Sequence, residues 1–226
     1  MRDKLLILLA AVFAVILVWN LDIIMNAPDE MRQGPVFRIM FFHIPAAVIA
    51  SIACGGSVIF SILYLVTKNL KFDAAAVSAT EIALTFGAVI LITGSIWGRG
   101  AWGVWWAWDA RLTSTLVTWL VYAGYLMLRR AIDEPTQRAR FAAVVSVLAF
   151  PGVVITYKSI EWWTQLQHPA PVFESRGGGG FGPYLPSLMW NMLAMTILGT
   201  ILFFIRQRQE SNQRELDALR RTVHSF

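Results

Sequence analysis

The chain has 226 residues, of which 57% are hydrophobic and only 15% are charged. Soluble domains usually carry about 25% charged residues, so this composition excludes an ordinary soluble domain and indicates a polytopic membrane protein. The formal net charge is +5 at pH 7, but the basic residues sit in short segments between apolar runs, which argues against a nucleic-acid-binding surface. Cys54 is the only cysteine, so the sequence offers neither an internal disulfide nor a CxxC redox motif.

Hydropathy along the chain predicts an all-α membrane protein with six transmembrane helices, since about 20 apolar residues cross a hydrocarbon core. The first run follows a basic start, as in a signal peptide, but it lacks a small-x-small cleavage site before Pro28, which favours an uncleaved span. The second run exceeds one membrane thickness and should protrude or tilt, and Pro151 predicts a kink in the fifth. The predicted spans are 5–25, 37–66, 81–96, 112–128, 141–157 and 185–205.

The distribution of basic residues predicts which side of the membrane the termini face. Thirteen of the 19 lysines and arginines fall in the termini and in the second and fourth connections. Cytoplasmic segments carry the excess of basic residues, so both termini are predicted to be cytoplasmic. The chain then divides into a membrane domain at 1–205, which includes the Gly-rich loop 158–184, and a polar, helix-prone cytoplasmic tail at 206–226. The first connection, segment 97–111 and loop 158–184 share the outer side of the membrane in this topology, which is the periplasmic side in a bacterium.

Segment 97–111, between the third and fourth predicted spans, holds five of the ten tryptophans. On a helix with a 100° step, Trp102, Trp105, Trp106 and Asp109 fall within an arc of roughly 100°. This spacing predicts a periplasmic, tryptophan-rich amphipathic segment that lies as a flat, mildly acidic plate at the membrane surface. An aromatic belt that anchors the neighbouring spans is the alternative, but belts use one or two rings per span end. The density of rings therefore favours a platform for a large, flat, apolar ligand with charged edges.

Two histidines lie on the predicted periplasmic side, His43 in the first turns of the second span and His168 in loop 158–184. Imidazole is a common axial ligand of haem iron, so two histidines from separate segments could clamp both faces of a porphyrin. A polar cap at the membrane interface is the alternative for either histidine alone. Their shared side with the tryptophans favours a haem site, because ionisable residues in spans are functional candidates.

The edges of haem carry two propionates, which planar arginine side chains bind well. Asp109 is interpreted as a group that orients Arg111 or an indole N–H. Candidate propionate partners on the periplasmic side are Arg38, Arg99, Arg111 and Arg176. The candidate cofactor-binding residues are His43, Trp97, Trp102, Trp105, Trp106, Trp108, Asp109, Arg111 and His168, with His43 and His168 as the iron ligands.

Other chemistries have weaker support in the sequence. It has no paired carboxylates, no arguable Ser/His/Asp arrangement and no Walker motif, since the glycines at 177–180 form a flexible tether without a following Gly-Lys-Ser/Thr. The span centres carry almost no ionisable residues, so no ion pathway is visible. Glu161, before Trp162-Trp163, either caps the fifth span or forms a second wall of the site. Methionines near the periplasmic side are alternative iron ligands but more often serve packing: Met31, Met40 and Met189.

The run W-G-x-x-x-W-G-x-W-W-x-W-D-x-R at 97–111 resembles the tryptophan-rich signature of the haem-handling proteins of cytochrome c biogenesis. The segments F-H-I-P-A-A at 42–47, R-L-T-S at 111–114 and E-W-W at 161–163 are similar to one branch, the haem exporter protein C family of the cytochrome c maturation system. The resemblance extends to the end of the sixth span, and six spans separate this branch from the larger haem lyases. One departure is that the family's Leu-His-Gln reads Leu166-Gln167-His168 here, with the histidine displaced by one residue.

This resemblance implies a protein of the bacterial inner membrane that holds haem b at its periplasmic face between two histidine ligands and performs no catalysis itself. It implies transfer of haem to a membrane-anchored periplasmic haem chaperone, with the tryptophan segment in contact with both. The other implied partners are an ABC-type ATP-binding subunit, a membrane subunit of the same transporter, a small single-span protein and membrane lipid. Two alternatives stay open: a haem lyase that attaches haem directly to apocytochrome c, and a small-solute transporter.

Overall fold

The computed structural model describes residues 2–31, 33–163 and 182–224, and these residues fold into six long α-helices and two short 3₁₀ turns. Apart from one isolated β-bridge between Glu30 and Gly34, the described part of the chain contains no β-structure. The helices are α1 (Arg2–Asn26), α2 (Met40–Thr67), α3 (Leu70–Trp102), α4 (Ala110–Arg130), α5 (Pro135–Trp162) and α6 (Leu185–His224), with 3₁₀ turns at Pro35–Ile39 and Gly182–Tyr184.

Five of the six helices are long and apolar enough to cross a membrane by length and composition, which confirms the prediction of an all-α membrane protein. The exception is α4, whose 21 residues include Arg111, Arg129 and Arg130. It packs chiefly against α5. By contrast with α4, α1 has apolar residues on all of its faces. It packs mainly on α6, so most of its surface faces the surroundings of the bundle.

The helices alternate in direction, so that the connections gather at two ends. Asp3 at the start of α1 pairs with Arg208 late in α6, at 2.6 Å, whereas the hydroxyl of Tyr184 before α6 donates to the Pro28 carbonyl after α1, at 2.9 Å. We call the end with segments 27–39, 97–111 and 157–163 the tryptophan end. The opposite end, with residues 67–73, 129–138 and 206–217, is called the polar end.

Two helices begin more than one turn earlier than the hydropathy predicts. The third begins at Leu70 instead of residue 81, because the Asn69 side chain caps it by accepting from the Lys71 amide at 3.0 Å and an alanine run follows. The fifth begins at Pro135 instead of residue 141, because Glu134 caps it and proline suits the first helical position. Hydropathy locates the apolar part of a helix, and polar turns that cap or extend it escape this measure.

The tryptophan segment does not form one helix, so the prediction that its rings share a helical face is wrong. α3 continues through Trp102 and ends at Gly103, whose φ of 79° lies in the left-handed region that terminates helices. Residues 103–109 are then non-helical, and α4 begins at Ala110. The rings of Trp97 and Trp102 are therefore carried by the last turns of a membrane helix, and the other three by a connecting loop.

Pro45 inside α2 leaves one backbone carbonyl of the helix without its usual donor, and a side chain of α6 supplies the missing hydrogen bond. Proline has no N–H to donate to the carbonyl four residues earlier, which belongs to Phe41. The Asn191 side chain of α6 donates to that carbonyl at 3.1 Å, and Asn20 of α1 donates to Asn191 Oδ1 at 2.9 Å. Both asparagines are fully buried. This chain of amides ties α1 and α6 to the first turn of α2, two residues before His43.

At the polar end, α6 continues without a break beyond the predicted span, and ion pairs tie the extension to the bundle. Arg129 of α4 forms a bidentate pair with Asp73 of α3, at 2.6 and 3.1 Å, and both side chains are buried. Arg214 of α6 joins the same carboxylate at 2.5 Å. Arg206 pairs with Glu81 of α3. The extension is therefore packed on α3 and α4 over residues 206–214.

Candidate functional site

The tryptophan end brings together two of the three sequence regions that were predicted to form a haem site, the histidine segment at the start of α2 and segment 97–111. His43 at the start of α2 contacts α3 at Thr93 and Gly94, one turn before Trp97. The next residues of α3 lead into the tryptophan loop 103–109, and Asp109 opens α4. The predicted shared side of His43 and the tryptophans is thus present in the fold. His168 and Arg176 lie outside the residues that the structure describes.

His43 is half-buried and is held through its Nδ1 atom, which lies 2.9 Å from Thr93 Oγ1. The imidazole also rests against the backbone of α3, since a Cβ at Gly94 would come within 3.1 Å of the His43 Cε1 atom. A hydrogen-bonded Nδ1 and a ring fixed by packing are typical of histidines that bind metal through Nε2. The arrangement fits the predicted ligand role, although it equally satisfies a polar group at a helix interface.

Trp97 and Trp102 form the inner part of the tryptophan end. Trp97 is 6% exposed, and its ring meets that of Trp102 edge-on with centroids 4.8 Å apart. Its indole N–H donates to Gln33 Oε1 at 2.7 Å, which joins α3 to the connection between α1 and α2. Both rings belong to the same apolar cluster as Phe41 and Phe42, the residues that precede His43. These two tryptophans are therefore part of the apolar cluster on which the histidine segment packs.

The outer rings lie on the loop between α3 and α4. Trp105 and Trp108 are 60% and 72% exposed. Trp106 lies between them, half-buried, with its ring centroid 5.9 Å from that of Trp108 in an edge-on contact. The Trp106 Nε1 atom is buried and has no acceptor among the described residues. A buried donor without an acceptor is costly, so this indole N–H is suited to a ligand that brings a carboxylate or carbonyl oxygen.

Asp109 acts as the N-cap of α4, because its Oδ1 accepts from the Leu112 amide at 2.7 Å. The predicted role in orienting Arg111 or an indole N–H stays a prediction. An acidic residue directly before an apolar helical run is a recognised start signal, so this capping role was readable from the sequence. Asp109 fixes where the loop 103–109 ends and hence the position of Trp108.

Three of the four arginines proposed for the propionates lie within the described residues. Arg38 is held by Asp29 at 2.7 Å and by the carbonyls of α1 and its following turn, and Arg99 donates to the Gly103 carbonyl. Arg111 is half-buried in the first turn of α4, and no ion pair among the described residues involves it. Of these three arginines, Arg111 is the one that is half-buried without an ion pair to the described part of the chain, which suits it to bind an added carboxylate.

The secondary candidates fall into structural positions. Met40 is buried in the aromatic cluster beneath His43, whereas Met31 is fully exposed and Met189 is 39% exposed. Glu161 pairs with Lys158 within the last turns of α5 at 2.8 Å. The adjacent rings of Trp162 and Trp163 contact each other with centroids 6.0 Å apart. Their place beside the start of α4 follows from the Thr156–Ser114 hydrogen bond of 3.1 Å.

The sequence did not predict three residues that contact His43 or Trp97 in the structure: Thr93, Gly94 and Gln33. The polar run Thr93-Gly94-Ser95 was visible as an anomaly at the end of an apolar span, and such residues in a membrane helix often mark a contact or a cavity. Its partner was not visible, since His43 lies 50 residues away. Gln33 had no distinguishing signal, because glutamine in a short connection is ordinary.

A bundle of apolar helices that gathers a histidine, five tryptophans and a half-buried arginine at one end defines a class of protein, a multi-pass membrane protein with an aromatic surface at that end. The residues fit haem in kind: an imidazole held at Nδ1 for the iron, exposed rings for the porphyrin, and Trp106 N–H and Arg111 for carboxylates.

Comparison with known proteins identifies the family. Residues 1–222 match the family model for CcmC, heme exporter protein C. The heme exporter protein C of Bradyrhizobium diazoefficiens is 36% identical over 211 residues, which cover 93% of this chain and 80% of that protein. The Escherichia coli K12 protein of the same name is 31% identical over 183 residues, covering 80% and 73%. This chain belongs to the heme exporter protein C family.

A shorter match comes from Marchantia polymorpha, where a "putative cytochrome c biosynthesis ccmC-like mitochondrial protein" is 32% identical over 146 residues. The match covers 65% of this chain and 61% of that protein. The family match over residues 1–222 confirms the resemblance inferred from the tryptophan signature over the whole membrane bundle.

Proposed function

We propose that this chain binds haem b as a cargo at the tryptophan end and presents it to a periplasmic haem chaperone during cytochrome c maturation. Membership of the heme exporter protein C family supports haem handling in this process. The observation that carries the proposal is the contact of His43 Nδ1 with α3, one turn from the buried Trp97, which brings an imidazole beside the tryptophan surface.

His43 and His168 are proposed as the two iron ligands. Haem supplies an iron with two axial positions and a carboxylate-bearing edge, and the chain supplies the groups that hold them. His43 presents a ring whose orientation is fixed by Thr93 and by the backbone at Gly94. His168 belongs to the loop between α5 and α6, whose described flanks, Trp163 and Gly182, both lie at the tryptophan end.

The tryptophans divide into supporting and presenting groups in this proposal. Trp97 and Trp102 are packed beneath the histidine segment and hold its position. Trp105 and Trp108 are exposed and form the surface that contacts both the porphyrin and the incoming chaperone. Arg111 and the Trp106 N–H bind the propionates, where a bidentate guanidinium contact is favoured. An exposed presenting surface allows the cargo to leave, as a transfer protein requires.

The chain itself is proposed to do no bond chemistry. It holds haem in the inner membrane, and an ABC-type ATP-binding subunit and membrane subunit, with a small single-span protein, form the surrounding assembly. The proposed orientation places the tryptophan end in the periplasm, consistent with the excess of basic residues at the polar end.

The test is the absorbance of the purified protein titrated with haem, compared with His43→Ala and His168→Ala. We expect both variants to lose the spectrum of a bis-histidine complex and at least about tenfold of the haem affinity, since an axial ligand is removed. His224→Ala is the matched control, because it removes a histidine from the polar tail, outside the proposed site. Unchanged haem content and spectra in both ligand variants contradict the proposal.

Two outcomes would favour other functions. Recovery of holocytochrome c when this chain is the sole assembly factor would indicate a haem lyase. Uptake of a small solute into vesicles that contain only this chain would indicate a transporter. The chaperone step is tested separately by capture of the chaperone on the haem-loaded protein, where Trp105→Ala with Trp108→Ala should weaken capture.

A further inference from the structure

The contact between His43 and Thr93 fixes the position of the imidazole and also indicates which ring nitrogen carries the hydrogen. The Thr93 hydroxyl has one hydrogen, and the Val89 carbonyl one turn earlier lies 2.6 Å from Oγ1, the short distance of a hydrogen bond that the hydroxyl donates. The more distant Ile90 carbonyl, at 3.5 Å, shares the same hydrogen at most. Thr93 Oγ1 can therefore only accept from His43, so Nδ1 carries the hydrogen in their 2.9 Å contact.

This proton assignment selects one tautomer of the neutral imidazole. A neutral histidine has one N–H, so a hydrogen on Nδ1 leaves the lone pair on Nε2. A metal ligand needs that lone pair, and the hydrogen bond at the other nitrogen sets both the ring orientation and the basicity of the ligand. Thr93 therefore meets both requirements of a residue that prepares His43 for an iron.

The neighbouring residue provides the room for this contact. A Cβ at Gly94 would lie 3.1 Å from His43 Cε1 and 3.8 Å from Nδ1, so a larger residue there requires the ring to shift by a few tenths of an ångström. Two consecutive residues of α3 thus fix the position of the imidazole. Thr93 does so by a hydrogen bond, and Gly94 by having no side chain that would occupy the space of the ring. The pair sits one turn before Trp97, so the same helix positions the histidine and the start of the tryptophan surface.

We propose that Thr93 is a positioning residue that holds His43 in the tautomer able to bind haem iron through Nε2. This inference rests on the proposed function, in which His43 is an iron ligand. Thr93 acts through His43 and contacts no cargo itself. The hydrogen bond it accepts gives the ligating imidazole more electron density, which stabilises the ferric state and lowers the reduction potential of the bound haem.

The test uses the full-length purified protein loaded with haem, and Thr93→Val as the variant that keeps the shape but removes the acceptor. We expect about tenfold weaker haem retention, the usual effect of losing such a partner, together with a reduction potential raised above that of the unaltered protein. Thr93→Ser restores both values, because it returns the hydroxyl. Thr85→Val is the matched control, since Thr85 donates to the Glu81 carbonyl on the same helix but is exposed.

The outcomes separate this inference from the proposed function. If His43→Ala loses haem while Thr93→Val and Thr85→Val retain it equally and share one potential, the role of Thr93 is overturned and the haem site stands. If His43→Ala retains the original spectrum, the ligand assignment fails and this inference fails with it. If Thr93→Val does not fold, Thr93→Ala and Thr93→Ser are compared, and equal potentials in that pair overturn the role of Thr93.

Discussion

Trp108 has a backbone conformation that tryptophan rarely adopts. Its φ of 50° lies in the left-handed region, and holding a non-glycine residue there costs on the order of 1–3 kcal/mol. Burial of the side chain does not offset this cost, since the side chain is 72% exposed. Strained backbone conformations cluster at functional sites, which supports the presenting role proposed for this ring.

The variant Trp108→Gly should distinguish a role of Trp108 in binding haem from a role in stabilising the fold. We expect the unfolding free energy in detergent to stay constant or rise by about 1 kcal/mol, because glycine relieves the left-handed strain, while haem retention falls. The control is Lys68→Gly, which relieves the same kind of strain at φ 58° at the opposite end. Lys68→Gly should leave haem retention unchanged, and a fall in stability without a fall in haem retention for Trp108→Gly would assign Trp108 to the fold.

At the scale of elements, the polar extension of α6 is part of the bundle. Asp73 of α3 lies between Arg129 of α4 and Arg214 of α6, and Asp73 and Arg129 are both buried. Glu210 adds a second carboxylate, 2.8 Å from Arg214. Buried charges are tolerated only when they are paired, so this cluster requires α3, α4 and α6 to meet in one register at the polar end.

Removing the shared carboxylate tests the cluster. Asp73→Ala leaves Arg129 buried without its bidentate partner, and loss of one member of a buried pair typically costs about 3–5 kcal/mol. Unfolding in detergent micelles, followed by circular dichroism, measures this loss. Asp3→Ala is the control, because it breaks an exposed pair with Arg208 and exposed pairs contribute little. Equal midpoints for the two variants would show that the cluster does not hold the end of the bundle together.

At the scale of the whole molecule, the six helices separate two chemically different ends. The tryptophan end carries the rings and His43, and the polar end carries the ion-pair cluster and most of the basic residues. Membrane insertion retains the more basic end in the cytoplasm. The proposed orientation is therefore a property of the complete fold and can be measured without any ligand.

Cysteine labelling tests this orientation. In a Cys54→Ala background, Val104→Cys lies in the tryptophan loop and Ala131→Cys lies between α4 and α5, and both positions are exposed. A membrane-impermeant maleimide applied to spheroplasts should label position 104, and position 131 only after lysis. The reverse pattern would place the tryptophan end in the cytoplasm and exclude a periplasmic presentation of haem.

Much of the fold follows from local properties of the sequence. Apolar runs predicted six helices, because each segment that enters a membrane must satisfy its own backbone. The hydropathy runs missed the starts of α3 and α5, although Asn69 and Pro135 carry recognised start signals there. The helical plate at 102–109 was wrong because Gly103 ends α3 within it, and a periodicity count does not weigh one helix-ending residue.

The sequence by itself determined an all-α membrane protein, its family and the proximity of His43 to the tryptophan segment. Only the tertiary structure decided that His43 bonds Thr93, that Trp97 bonds Gln33, and that Asn191 takes the carbonyl freed by Pro45. The physical reason is that hydropathy records how apolar a helix is, while such contacts depend on the rotation and depth of each helix against its neighbours. Those two quantities are set by packing of the whole bundle.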